Sequence, residues 1–522
     1  PGFRLHSSAT AASFGRHDEL IDLQLGRPEG YVLLSGSHST ANNYRDGDGA
    51  AVHSAYQRYS GNLALGWTPD ENSKLELAVS RSDGEAAYAD RGMDGTRFLR
   101  ESVNLRGEKS NLTPWLSQLK FHWFDNEVDH LMDDQQLRQP GMMGYANLRR
   151  ETSGGRLAAD LLVALQDELT LGIDTQDSSH HSRSAPKSAV YTAWLDDASI
   201  SQTGLFTEWR HRFDDPMQKL VAGYRFDRWQ ANDERLRISG MMGSMPNPTA
   251  GAERTDNLHS GFARFEQKLV RQPASWYLGL GSTARFPDYW ELIAKEGVGT
   301  TTTSAFFQLQ AEKTRQIDTG YLFKDQQREW SVSAFINDID DFILVDYRMK
   351  TNGQVRNIDA SSYGAELGYQ QQIGAQWRSE ATLAYTKGEN NSDDQPLPQL
   401  SPLELKLGLS YAQQQWSVGS LLRLVGQQSR VALGQGNIVG KDLGPTAGFA
   451  IVSLNANWQI TPALLLTGGA DNLLDKNYAE FVSRAGGNGM GGSIPGFAQT
   501  LRVNEPGRTL WLKLQWNFAG DF

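Results

Sequence analysis

Leu63-Ala64-Leu65-Gly66-Trp67-Thr68-Pro69-Asp70-Glu71-Asn72-Ser73-Lys74-Leu75-Glu76-Leu77-Ala78-Val79-Ser80 is the stretch that decides the fold. Leu63, Leu65 and Trp67 share one parity. Leu75, Leu77 and Val79 do so again beyond the turn residues Thr68 to Asn72, interleaved with Lys74, Glu76 and Ser80. Successive side chains of a strand point to opposite faces, so the segment reads as two strands, each with one apolar face, joined by a tight polar turn. The alternation recurs to the end of the chain, where Leu510, Leu512, Leu514, Trp516 and Phe518 share one parity and Lys513, Gln515 and Asn517 the other. Short connections recur at Phe213-Asp214-Asp215-Pro216, Arg271-Gln272-Pro273, Gln371-Gln372-Ile373-Gly374 and Thr461-Pro462. Long polar connections fall at 177–199, 231–255, 287–308, 426–444 and 479–506.

Short turns at one end and long loops at the other are the pattern of an all-β transmembrane antiparallel barrel, with periplasmic turns and extracellular loops. The alternations count to about 22 strands. A barrel of that size encloses a lumen that is plugged rather than filled by its own side chains. A propeller or solenoid would need a fixed short repeat, and none is present. No Pro-rich or charged linker divides the 522 residues, so residues 1–522 read as one barrel domain.

Composition agrees. Hydrophobic residues are only 39% and no run approaches the ~18 apolar residues of a membrane helix, yet a barrel that alternates lipid-facing with lumen-facing side chains is polar on average. The net charge of -11 argues against nucleic acid as a partner, and the acidic residues gather in polar segments such as Asn337-Asp338-Ile339-Asp340-Asp341. The chain has no cysteine, which excludes disulfides and any thiolate it could itself supply and leaves ten methionines for sulfur chemistry. No signal peptide precedes Pro1, so the chain reads as mature or as a fragment. Gly487-Asn488-Gly489-Met490-Gly491-Gly492 has dinucleotide-loop spacing but no βαβ unit around it. No nucleophile elbow, zinc-protease helix or phosphate loop occurs, and no enzyme is expected.

His130-Leu131-Met132 is the candidate site. Two-residue spacing in extended backbone puts an imidazole and a thioether on one face, and that donor pair suits a soft ion, Cu(I) above all, so it reads as half of a copper site. Met93, Met142, Met143, Met241, Met242, Met245 and Met490 also fall in segments read as long-side loops, and all of these but Met490 are candidates for a copper relay, Met241, Met242 and Met245 clustering beside Gly240 and Pro246. His180-His181 reads as an exposed loop pair, since neighbours in a strand would point to opposite faces.

Arg285-Phe286-Pro287-Asp288-Tyr289-Trp290-Glu291-Leu292, Asp471-Asn472-Leu473-Leu474-Asp475-Lys476-Asn477-Tyr478 and Glu505-Pro506-Gly507-Arg508-Thr509 resemble, in order and placement, the barrel of TonB-dependent outer-membrane receptors. The resemblance covers essentially the whole chain. It implies a monomer in the outer membrane of a Gram-negative bacterium, embedded in lipid and lipopolysaccharide. It also implies an N-terminal plug, absent from this chain, that carries the TonB-contacting segment. Two departures are the missing plug and the four residues Ala519 to Phe522 beyond the usual terminal aromatic.

Within the family, Asp129-His130-Leu131-Met132-Asp133 through Gln136-Leu137-Arg138 to Ser153-Gly154-Gly155-Arg156 looks like the copper-receptor branch, as does Arg91-Gly92-Met93-Asp94-Gly95-Thr96. That likeness implies TonB-dependent uptake of copper ion, Cu(I) or Cu(II), with Cys and Met ligands from the plug completing His130 and Met132. The alternative is a receptor for an organic metal chelate of the siderophore kind or a small cofactor, gripped by loop aromatics and arginines.

Overall fold

The computed structural model describes residues 2–141, 143–185, 192–240, 243–293, 296–297, 305–348, 353–487 and 493–521. Twenty-two long strands make one closed antiparallel barrel. The first eleven are β1 (Gly2–Ala12), β2 (Arg16–Arg27), β3 (Gly30–Ala41), β4 (Tyr56–Asp70), β5 (Ser73–Ala86), β6 (Asp94–Ser110), β7 (Leu116–Asp133), β8 (Tyr145–Ala164), β9 (Asp167–Ala185), β10 (Leu195–Arg212) and β11 (Gln218–Asp233). Eleven more follow at Ala252–Lys268, Ala274–Arg285, Glu312–Lys324, Arg328–Asp346, Gln354–Ile373, Trp377–Asn390, Glu404–Ala412, Trp416–Val425, Phe449–Thr461, Leu464–Asp471 and Thr509–Asp521. Each pairs with its neighbours in sequence, and Thr509–Asp521 returns to β1 in a register running from Gly2↔Asp521 to Ala12↔Trp511. Closure leaves no long edge, the condition for a sheet to stand in lipid.

One parity faces lipid. Trp67, Leu75, Phe121, Leu157, Ile173 and Leu205 lie on one continuous outward rung and are all exposed, because the bilayer rather than a protein core covers them. The other parity lines the lumen and carries Arg106, Lys120, Asp160, Asp174, Arg225 and Asp227. Ion pairs join Lys120 to Asp160 at 2.8 Å and Arg225 to Asp174 at 2.7 Å.

Several strands run farther than the sequence pattern suggests. The expected long loop at 177–199 shrinks, because β9 continues to Ala185 and β10 begins at Leu195. Above the lipid band both faces are polar, so the alternation that marks a strand fades while the hydrogen-bond ladder continues. Similarly, the loop after β11 contains a small hairpin, Arg237–Gly240 with Gly243–Pro246. At the C-terminus Ala519, Gly520 and Asp521 stay in the ladder opposite Arg4, Phe3 and Gly2, so these three residues prolong the last strand.

Long-side loops fold back onto the inner wall. Phe286 stacks on Trp229 at 5.3 Å, and Leu292, Ile293 and Phe306 are buried against Ala198, Ala231 and Leu258. The one-turn helix Tyr289–Leu292 there is closed by a capping box between Asp288 and Glu291. Asn472, at φ 47°, donates to the Lys476 and Pro506 carbonyls at 2.8 and 3.1 Å, and Asp475 accepts from the Arg508 amide at 2.7 Å. The Asp471–Tyr478 and Glu505–Thr509 segments thus form one joint.

Candidate metal site

β7 pairs with β8 in unbroken register above its first residues, Met132↔Ala146 and His130↔Leu148 included, so both donors share the parity of Lys120 and His122 and face the lumen. They stand well above the lipid band: His130 is seven residues beyond Trp123, an outward residue of that band, or roughly 16 Å at ~3.3 Å per residue and about 45° of tilt. His130 and Met132 are half-buried. The His130 Nε2 atom is buried and, among the described residues, has no hydrogen-bond partner. An imidazole nitrogen out of reach of water with nothing to bond is costly, and a ligand supplied from the lumen would satisfy it.

The ring is held from the side by Phe98, directly opposite on β6, with centroids 4.6 Å apart and planes tilted by 30°. Phe98 in turn occupies the space above Gly95, where a Cβ would overlap its ring. Carboxylates on the opposite parity lock the backbone. Asp129 accepts from Arg97 at 2.9 Å and from Asn147 at 2.5 Å, and Asn147 also donates to the His130 carbonyl at 3.2 Å. Beyond the strand, buried Asp134 accepts the Met143 and Gly144 amides at 2.8 and 3.0 Å.

A third carboxylate, Asp94, opens β6 and is fully buried. It accepts from Arg138 Nε at 2.8 Å, from the Tyr88 amide at 2.8 Å and from His53 Nε2 at 3.0 Å. Burial alone would raise this carboxyl's pKa, but the bonds from Arg138, His53 and the Tyr88 amide outweigh it and hold the group at about 2. The loops 42–55, 87–93 and 134–144 are thereby tied to one point beside the His130–Met132 edge.

Of the methionines proposed for a relay, Met143 is 61% exposed with its Sδ over Gly92, so that a Cβ there would lie 2.8 Å away, and Met93 is the next residue along. Met245 lies in the small hairpin after β11, away in sequence from that pair. Met142, Met241, Met242 and Met490 lie outside the described residues. His180-His181 is not an exposed loop pair. Both lie in β9, where His180 faces inward, buried and stacked on Tyr289 at 3.9 Å, and His181 faces outward with Nδ1 2.8 Å from Asp196. The strand continuing above the lipid band separated them. Among the described residues, no three His, Cys, Asp or Glu side chains converge to hold a metal, so the two donors of β7 stand without a third ligand of that kind.

The 91–96 segment is singled out by its resemblance, but Phe98, and the placing of Gly95 and Thr96 beside the donors, are not legible in the sequence: they lie on a different strand and only the register brings them together.

A closed barrel of this size, apolar outside and polar within, with a donor pair high on its inner wall, is an outer-membrane receptor barrel rather than an enzyme. Residues 35–473 match the family model described as TonB dependent receptor-like, beta-barrel, and the chain belongs to that family. It is similar to the solved structure of the copper transporter OprC, with 38% identity over 99% of this chain and 80% of that one and a TM-score of 0.93. The FrpB iron transporter from Neisseria meningitidis, at 16% identity, has a TM-score of 0.75 over 99% of this chain and 81% of its own. The ferric-catecholate import receptor Fiu of Escherichia coli, at 12%, gives 0.74 over 99% and 81%. These last two show the fold alone. A stretch of 85 residues is 35% identical to the ferrienterobactin receptor of Escherichia coli, covering 15% of this chain and 11% of that receptor's length.

Proposed function

We propose that this chain is the barrel of a TonB-dependent receptor that imports copper, preferably as Cu(I), bound between barrel and plug by His130 and Met132 together with ligands from the plug. The observation that carries the reading is the buried His130 Nε2, without a partner among the described residues, with Met132 two residues along on the same lumen-facing edge. Imidazole with thioether selects soft copper over iron or calcium. The 38% identity with a copper transporter over 99% of the chain supports the same choice. Two ligands hold copper weakly, so tight binding belongs to the full-length protein, whose plug also makes the TonB contact. Met143, whose sulfur lies over Gly92, and Met93, the next residue along from Gly92, serve as a first landing point from which Cu(I) passes to the pair, and Met142, Met241, Met242 and Met245 are further candidates for that relay.

Metal analysis of purified full-length protein tests the reading. Wild type should retain copper and the His130→Ala/Met132→Ala double variant should not, with both barrels folded. Equal copper in the two would remove these residues from the site. Copper in neither would return the function to an organic metal chelate.

A further inference from the structure

Met132 sits where the β6–β7 ladder carries one extra residue. Gly95 faces Met132 and Arg97 faces Leu131, leaving Thr96 without a partner across the strand. A bulge of this kind re-aims the side chains beside it, whereas His130 lies in regular register between Phe98 and Leu148. Of the two donors, the thioether is therefore the one whose placement depends on how the bulge is held.

One carboxylate holds it. Asp133, fully buried and next to Met132 on the opposite parity, accepts the Thr96 hydroxyl through Oδ2 at 2.8 Å. Its Oδ1 accepts the amides of Gln135 and Gln136 at 2.8 and 2.9 Å. The same side chain thus ties the bulged residue of β6 to the turn that ends β7, with Met132 between the two anchor points. Both oxygens are occupied by donors, and the side chain points away from the lumen. Asp133 is therefore no metal ligand.

Resting on the reading of His130 and Met132 as a copper-holding pair, we infer that Asp133, acting through Thr96, is a positioning residue that sets the Met132 sulfur at ligating height beside His130 Nε2. Methionine has three rotatable side-chain bonds and gives up its sulfur position readily, so a fixed backbone is what makes it a dependable donor. Partners that orient metal ligands in this way typically carry 10- to 100-fold in affinity.

The test uses the full-length protein loaded with Cu(I) in competition with a chromogenic chelator, followed by copper K-edge X-ray absorption. Thr96→Val removes the hydroxyl at constant shape, Thr96→Ser restores it, and Asp133→Asn weakens the same bond from the other side. Thr96→Val and Asp133→Asn should bind copper roughly 10- to 100-fold more weakly and lose one sulfur neighbour while keeping the histidine nitrogen, and Thr96→Ser should behave as wild type. Should Asp133→Asn fail to fold, Thr96→Val alone decides. Wild-type affinity and sulfur count in Thr96→Val, with copper lost from His130→Ala/Met132→Ala, overturn the role of Asp133 and leave the pair intact. Copper retained by that double variant overturns the underlying reading instead.

Discussion

Replacing Arg138 by methionine keeps the packing of its stem and removes the guanidinium that lies against Asp94. In the wild type, the bonds from Arg138, His53 and the Tyr88 amide hold Asp94 at about 2 rather than the usual 3.8, a difference worth about 2 kcal/mol. A lowered carboxyl pKa contributes stability that is complete above pH ~4 and is lost as pH falls toward 2. Without Arg138 the carboxylate keeps His53 and the Tyr88 amide but remains fully buried. The carbonyls of Arg91 and Tyr88, bonded to Arg138 at 2.9 and 3.2 Å, also lose their donor. Breaking a buried pair from one side costs about 3–5 kcal/mol, and the remaining bonds to Asp94 place this case near the lower figure, a hundredfold or more in local opening. The barrel's ladder does not depend on the pair, so the loss falls on the loops. Hydrogen-exchange protection factors across residues 87–94 and 134–141 measure it at pH 7. The pH dependence should also weaken: with the Arg138 bond gone the Asp94 pKa rises from about 2 toward the usual carboxyl value, so less of the remaining protection is lost as pH falls from ~4 toward 2 than in the wild type. Equal protection of these segments in both proteins at pH 7 would refute the argument that Asp94 and Arg138 hold the mouth together.

Two further outcomes follow from the geometry. Gly95→Ala places a Cβ inside the volume of the Phe98 ring, so the ring must turn against His130. Copper affinity of the full-length protein should fall with the melting temperature little changed, and calorimetric titration separates the two. Asn472→Ala removes three side-chain hydrogen bonds from a buried residue with positive φ, two donated to the Lys476 and Pro506 carbonyls and one accepted from the Lys476 amide, at a cost of about 1–3 kcal/mol for each group left unsatisfied. Unfolding of the detergent-solubilised barrel in guanidinium should begin at lower denaturant, and an unchanged midpoint would show that the joint between Asp471–Tyr478 and Glu505–Thr509 contributes nothing.

The alternation of Leu63, Leu65 and Trp67 with Leu75, Leu77 and Val79, and of Leu510 through Phe518, settled by itself that this chain is a barrel of about 22 strands. Lipid demands apolar side chains at every second position, and that demand is local, so it is written in consecutive residues. The two-residue step from His130 to Met132 put both donors on one face for the same reason. Where lipid ends the demand lapses: β9 and β10 run on through polar residues that read as a loop, and only the paired backbone shows His180 turned inward onto Tyr289 and His181 turned out to Asp196. Tertiary structure alone decided the rest of the site. Phe98, Gly95 and Thr96 are more than thirty residues from the donors along the chain, and their place beside His130 and Met132 comes from a register shifted by one residue at a bulge. Asp94, Asp133 and Asp134 are each buried, yet each is bonded, Asp94 to donors from three other segments, Asp133 to Thr96 of β6 and to the turn that follows it, and Asp134 to the amides that close its own loop, because burying a carboxylate is tolerable only where the fold brings its hydrogen-bond partners to it.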